Sequence, residues 1–334
     1  MRPIGRLAAL AVIAAAGLTP PAAAAEPVTW GIVPSGPDGP GDRAAFEYSL
    51  DPGTALSDVV AVSNYTDAPL TLDLYASDAV RNTQGGFDLL PAADEPVDVG
   101  AWVDLGEPSV TVPARSRVDV PFRITVPDDA TPGDHAGGIV VGLTSQASGG
   151  VTVDRRVGAR IYLRVTGTLR PELAVDDVHL AFDGLALGQP GTVRVEYTVR
   201  NDGNVRLAGR PTVRVAGPFG LGGRYWTGDP LPELLPGDSV SGSASVRGVW
   251  QLGPMDVDVE IRAESSGSQA LEPAPPPGTY AARLWVVPWI ALTALAVVVS
   301  AVLLRRRRRR RRGAGAGPAG RAGEPGRTPQ GTPR

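Results

Sequence analysis

Three observations predict the fold class. Apolar and polar residues alternate with period two through most of the chain, and no sustained helical period precedes residue 285. A twenty-residue uncharged run then meets eight consecutive arginines. Together they predict an all-β ectodomain followed by one C-terminal transmembrane helix. Strands that are apolar on one side need a second sheet to cover that side, so the ectodomain reads as two tandem immunoglobulin-like β-sandwiches.

The helix is predicted over Trp285–Leu304, WVVPWIALTALAVVVSAVLL, where only Thr293 and Ser300 carry polar side chains. Twenty helical residues reach about 30 Å, the thickness of a hydrocarbon core. Trp285 and Trp289 mark one membrane interface, and Arg305 opens the basic run Arg305–Arg312 at the other. Arginines on that flank place it in the cytoplasm and the ectodomain outside, at the cell membrane. Alone, the run would suit RNA. Beside an apolar helix it reads as a stop-transfer signal with attraction to anionic lipid. The N-terminus has a basic start (Arg2, Arg6), the apolar run Leu7–Leu18 and the small residues Ala23-Ala24-Ala25, which predict a cleaved signal peptide over 1–25. The tail, 305–334, is rich in Gly, Ala, Pro and Arg and is predicted disordered.

The first sandwich is predicted over 26–168. Phe46, Tyr48 and Leu50 alternate with Glu47 and Ser49 before the turn Asp51-Pro52-Gly53. Leu70, Leu72 and Leu74 alternate with Thr71, Asp73 and Tyr75. In Val118–Val126 the residues Val118, Val120, Phe122, Ile124 and Val126 share one face, and Pro121 puts the strand at an edge or a non-bonding position. The second sandwich is predicted over 171–266, with Val193, Val195, Tyr197 and Val199 alternating with Arg194, Glu196, Thr198 and Arg200. Each unit has a strand ending in asparagine (Asn64, Asn201), and each has a proline-led turn before a later strand (from Pro113 and from Pro236). Residues 267–284 read as a Pro-rich linker to the membrane.

Composition narrows the function. With no cysteine, the chain can form neither a disulfide nor a thiolate metal site. Residues 26–284 hold 19 arginines against 34 carboxylates, a net of −15, which argues against binding nucleic acid or an anionic membrane surface. His135 and His179 each stand apart from any nucleophile or acid in sequence, so no catalytic constellation, metal site or cofactor is predicted. Asp38 and Asp42 lack the oxygen ladder and closing Glu of a calcium loop and read as a solvated turn. Asn64-Tyr65-Thr66 has the form of a glycosylation sequon but reads first as the strand-ending turn. The candidate ligand-binding residues are Asn82, Gln84 and Phe87 with Trp102, because amides and aromatic rings together hold carbohydrate-type ligands and sit on one long connection. Core packing is the competing role for Phe87 and Trp102.

The first unit resembles the peptidoglycan-binding domain of the WxL-interacting protein family. The residues that carry this are Trp30–Pro34 as an opening strand, Phe46–Gly53 as a strand with its Pro-Gly turn, and Val60–Asp67 as a strand ending in Asn. Ala79–Gly86 pairs an Asn with a Gly, and Pro127 with Gly133–Ile139 forms the closing Pro…Gly…Gly-Gly strand. The match spans 28–143, and the order of domains agrees along the whole chain. The second unit matches only in position and sandwich character. The resemblance implies attachment to peptidoglycan and a secreted or surface protein partner; it identifies no ligand-contacting residue. Four readings follow: a cell-surface binding protein, a structural spacer or assembly subunit, a receptor signalling through its tail, and, with least support, an enzyme.

Overall fold

The computed structural model of the protein describes residues 28–36, 39–82, 85–146, 152–184, 189–251, 253–267, 271 and 274–313. The signal-peptide segment 1–25, Gln84 and the tail beyond 313 lie outside the described residues. The first unit contains β1 (Trp30–Gly36), β2 (Gly39–Pro40), β3 (Phe46–Leu50), β4 (Ala55–Asn64), β5 (Leu70–Arg81), β6 (Phe87–Leu89), the short helix α1 (Val99–Trp102), β7 (Val103–Asp104), β8 (Ser109–Val112), β9 (Arg117–Thr125), β10 (Gly133–Gln146) and β11 (Thr152–Val165). The second contains β12 (Leu173–Asp183), β13 (Gly191–Asn201), β14 (Leu207–Ala216), β15 (Arg224–Thr227), β16 (Ser239–Val249), β17 (Gly253–Ser265) and β18 (Gly278–Val286), followed by α2 (Trp289–Gly313).

Each unit is a two-sheet sandwich. In the first, the order β2-β1-β4-β9-β7 faces β3-β11-β10-β5-β6, with β8 also on β5. In the second, β12-β13-β16 faces β15-β14-β17-β18. The alternation seen in sequence sets the core. In β9, Val120, Phe122 and Ile124 are buried while Arg117, Asp119, Pro121, Arg123 and Thr125 are exposed. Phe122 meets Phe46 edge-on at 5.1 Å between ring centroids. On β9 only Ile124 and Arg123 are paired by β7, so Pro121 has β4 on one side and no ladder partner on the other among the described residues.

The two strand-ending asparagines do the same work. Asn64 Nδ2 donates to the carbonyls of Ala68 (2.8 Å), Val112 and Pro113 (both 3.1 Å). Asn201 Nδ2 donates to those of Val205 (2.7 Å) and Leu234 (3.0 Å). The backbone N–H of Asn64 reaches Ser116 and that of Asn201 reaches Asp238, both at 2.9 Å. Each amide thus ties a strand end to the proline-led turn, and the repeat read in sequence is a structural one. Asn64 is buried and accepts from Thr66, so the sequon pattern is a turn.

Three expectations need correction. The second sandwich does not stop at Ser266. β18 pairs with β17 from Gly278↔Ile261 to Val286↔Gly253, and Leu271 is in its core. The residues read as linker after 277 therefore form an edge strand that buries Leu284 in part and Val286 fully. Trp285 accordingly lies on a strand, and the helix starts at Trp289, after Pro288. Its uncharged part, Trp289–Leu304, has sixteen residues and spans only about 24 Å. Among the described residues no helix is long and apolar enough to cross a membrane.

Candidate functional site

The two sandwiches meet through polar residues that local structure puts in place. Period-two alternation points Glu47 on β3 and Tyr162 on β11 away from the first core, toward the second unit. Arg206, just before β14, enters the junction with its side chain 3% exposed. Its guanidinium donates to Glu47 Oε1 at 2.8 Å and to Glu233 Oε1 at 3.1 Å, and lies 3.8 Å over the Tyr162 ring. Tyr162 donates its hydroxyl to Glu233 Oε2 at 2.9 Å. Burial works against the Arg206 charge, yet the Glu47 hydrogen bond and the nearby Glu233, Glu47 and Asp134 carboxylates outweigh it and raise its pKa.

Asp134 extends this network. It takes Arg164 in a fork, Nε at 2.6 Å and Nη2 at 2.8 Å, and accepts the Arg206 backbone N–H at 2.8 Å. Both members of the Asp134–Arg164 pair are buried, which is tolerable only because each is paired and hydrogen-bonded. Asn204 adds bonds to the carbonyls of Pro132 (2.8 Å) and Thr168 (2.9 Å). Gly267 sits at φ 82°, and a Cβ there would meet the Arg206 guanidinium and the Glu47 carboxylate. The sandwiches are joined by a paired charge network rather than by an oily seam.

Two small cavities flank the junction. One of ≈ 200 Å³ is lined by Arg81, Phe87, Arg160, Pro232 and Glu233, among others. Arg81 donates to the Glu233 carbonyl at 2.9 Å and sits 3.0 Å from Asp238, although its Nε–H does not point along that ion pair. Phe87 stands edge-on to Tyr162 at 6.1 Å with the Arg160 guanidinium 4.6 Å over its ring. The second cavity, ≈ 280 Å³, holds Asp98, Thr131, Asp134, His135 and Asn204, and shares Leu235 and Asp238 with the first.

His135 is oriented by a carboxylate that sequence reading missed. Its Nδ1 lies 2.7 Å from Asp98 Oδ1 and its Nε2 2.8 Å from the Thr131 carbonyl. Both neighbours are acceptors, so the geometry favours the doubly protonated imidazolium. Burial pushes the imidazolium's pKa down, but the bonds to Asp98 and Thr131, with Asp98 and Asp134 charge, raise it overall. With both nitrogens engaged, His135 is not poised as a general base. Asp98 is held by Asp78, which accepts the N–H groups of Val97, Asp98 and Gly100 at 2.6–2.9 Å. Gly100 lets this turn lie against β5, since a Cβ would sit 2.7 Å from the Ser77 backbone.

Of the residues singled out in sequence, Phe87 lines the first cavity. Asn82 is beside it but is committed to its own turn, accepting the Gly86 N–H at 2.8 Å through Oδ1. Trp102 does not join them; its ring is 4.8 Å from His135, and it packs partly against the first core. Arg81, Arg160, Glu233 and Asp238 were not anticipated. Arg81 and Arg160 come from two strands of the first unit and Glu233 and Asp238 from the connection between β15 and β16 of the second, and no local spacing brings them together.

No protein-family model matches the chain, and no curated protein matches it. Among solved structures, the chain is similar to the class 5 fimbriae chaperone CfaA, with 12% identity over 78% of this chain and 100% of that one, at a TM-score of 0.36. It is similar to a chain of the chaperone–tip adhesin complex of CFA/I fimbriae biogenesis, with 12% identity over 78% and 99% and a TM-score of 0.36. A chain from the Salmonella enterica SafA pilin–SafB chaperone complex gives 12%, 78%, 99% and 0.33. The sandwich class rests on the strand pairing described above. The described residues form two β-sandwiches followed by one helix.

Proposed function

We propose that the protein is a non-enzymatic, membrane-attached cell-surface binding protein whose paired sandwiches form one rigid unit and whose junction groove engages peptidoglycan. The observation that carries the reading is the first cavity. It places the Phe87 ring, Arg81 and Arg160 at the seam of two units joined by buried ion pairs. The face of an aromatic ring suits the C–H face of a sugar, and the Arg160 guanidinium suits the carboxylates of peptide stems. The resemblance of residues 28–143 to the WxL-interacting protein domain supports the same ligand. Attachment would be through α2, whose apolar side chains are exposed on every side, among them Leu292, Leu295, Val298 and Leu303. Its short apolar length would be made up by the aliphatic stems of Arg305 and its neighbours, which snorkel toward headgroups.

The test is cosedimentation of the full-length, detergent-solubilised protein with purified peptidoglycan. Wild type should pellet with the wall, and Phe87→Ala combined with Arg160→Ala should weaken that without lowering the melting temperature. Failure of wild type to pellet would remove the glycan from the proposal. A second reading, an assembly subunit with no glycan ligand, is favoured by one feature. β3 covers only Ile161–Val165 of β11, so residues 152–160 have an open edge among the described residues, with Val153 and Val157 exposed. Such an edge can accept a strand from a protein partner.

A further inference from the structure

The two ends of the second sandwich differ in chemistry. One end, around Asn201, Asn204 and Leu207, forms the polar junction. The other is fixed by register: Ala216 pairs with Asp256, Val286 with Gly253 and Gly191 with Val249. Arg224 Nε donates to the Gly248 carbonyl at 3.1 Å, which brings both sheets together at this far end, and Gln251 donates to the Gly184 carbonyl at 3.1 Å, which ties the segments after β16 and β12.

That far end carries exposed aromatic and apolar side chains. The 3-10 turn Pro218–Gly220 presents Phe219 fully to solvent, and Leu221, Trp250 and Trp285 are exposed too. Phe219 also has φ 59° and ψ 23°, a left-handed conformation that a bulky residue adopts at a cost. Among the described residues, no hydrogen bond to the Phe219 backbone and no burial of its ring repays this cost. A strained residue that holds an apolar ring out in water points to a surface that is covered in use.

Chain geometry says what covers it. β18 ends at Val286 and α2 begins at Trp289, so only Val287 and Pro288 separate them. The sandwich end therefore lies within about 10 Å of the first helical turn, whatever angle the connection takes. If Trp289 rides at headgroup level, the loops beside Val286 reach the same depth. Local charge agrees, although the ectodomain is acidic as a whole. Asp256 is paired with Arg283 at 2.9 Å, Asp258 with Arg214 at 2.9 Å and Asp183 with Arg194 at 2.7 Å. Arg224 has no carboxylate partner among the described residues. Tryptophan, phenylalanine and an unpaired arginine compose an interfacial surface.

We infer that the far end of the second sandwich is a lipid-contacting face, with Phe219 and Leu221 set into the headgroup region beside Trp250, Trp285 and Trp289. This rests on attachment through α2 and adds that the domain lies against the bilayer rather than swinging above it. The absence of cysteine makes the test direct. Full-length variants Phe219→Cys, Val298→Cys and Thr279→Cys, each carrying an environment-sensitive fluorophore, are reconstituted into mixed phosphatidylcholine and phosphatidylglycerol vesicles with brominated acyl chains. Residue 298 reports α2, and residue 279 is an exposed control on β18 toward the junction. Quenching at 219 and 298 but not at 279 is the expected result. Quenching at 298 with 219 as unquenched as 279 overturns the inference and leaves attachment intact. No quenching at 298 or 219 overturns both, whereas quenching at 219 alone keeps the lipid face and removes α2 as the anchor. Shielding at 219 that grows with protein density at fixed lipid would assign the face to a second copy and also overturn the inference. Phe219→Gly provides a folding control: it relieves the left-handed strain, so its melting temperature should not fall.

Discussion

Replacing Arg206 by alanine removes a cation that Glu47 and Glu233 share across the junction. The guanidinium is almost fully enclosed and the two carboxylates are about three-quarters enclosed, so both would lose their counter-charge while only partly open to water. Breaking a buried pair on one side costs about 3–5 kcal/mol, because the partner's charge stays behind. The Tyr162 ring, 3.8 Å away, would also lose the group stacked on it. Against a total stability of about 5–15 kcal/mol, this is enough to uncouple the two units. Calorimetry of the full-length protein in detergent is the assay. Wild type should melt in a single transition for both sandwiches. Arg206→Ala should melt in two, with the earlier one lowered. Arg206→Lys keeps the charge but not the fork, and should fall between them. A loss within about 0.5 kcal/mol and a single retained transition would refute the claim that this network joins the units.

Three further outcomes follow from the same geometry. Phe122→Ala, which empties a buried ring site against Phe46, should cost about 3–5 kcal/mol, while Arg123→Ala should stay within about 0.5 kcal/mol; equal costs in thermal melts would mean the β9 register is wrong. Asn201→Ala strands the buried carbonyl of Val205, while that of Leu234 keeps the Leu207 N–H, and denaturant unfolding should show a loss of about 1–3 kcal/mol; a neutral result would deny the shared role of Asn64 and Asn201. His135 has its pKa raised in the folded protein, so its stabilising contribution is complete below about pH 6.5 and is lost as pH rises through the raised value. Melting temperature should therefore decline over that rise in wild type, and His135→Gln should flatten the decline.

The sandwiches were legible because period-two burial leaves its mark on strands such as β9, β13 and β17. Phe122 and Arg123 fall on the faces that alternation assigns them, and the Asn64 and Asn201 turns could be read as a repeat from residue order. The strand at Gly278–Val286 was hidden for a physical reason. Its inward residues, Ala282, Leu284 and Val286, run straight into an apolar helix, so hydropathy merged strand and helix into one twenty-residue segment. The prolines before Gly278 completed the impression of a linker. At the junction, Phe87 was found because an aromatic on a long connection is conspicuous. Its partners were not, since Arg81, Arg160 and Glu233 are ordinary surface charges until two units are brought together. His135 and Asp98 are 37 residues apart and meet only because Asp78 folds the intervening turn against β5.

The central claim is that the junction groove takes a peptidoglycan fragment, and one measurement addresses it at the site itself. Pro232 is exposed on the groove rim, and the chain has no cysteine of its own, so Pro232→Cys can carry a fluorophore in the full-length protein. Ser245→Cys, on an exposed position of β16, is the control. Titration with soluble peptidoglycan fragments should give a saturable change at residue 232, none at residue 245, and a weaker change at 232 when Phe87 is also alanine. A saturable response at 245 with silence at 232 would contradict the account, as would no response at either position from protein that still pellets with the intact wall.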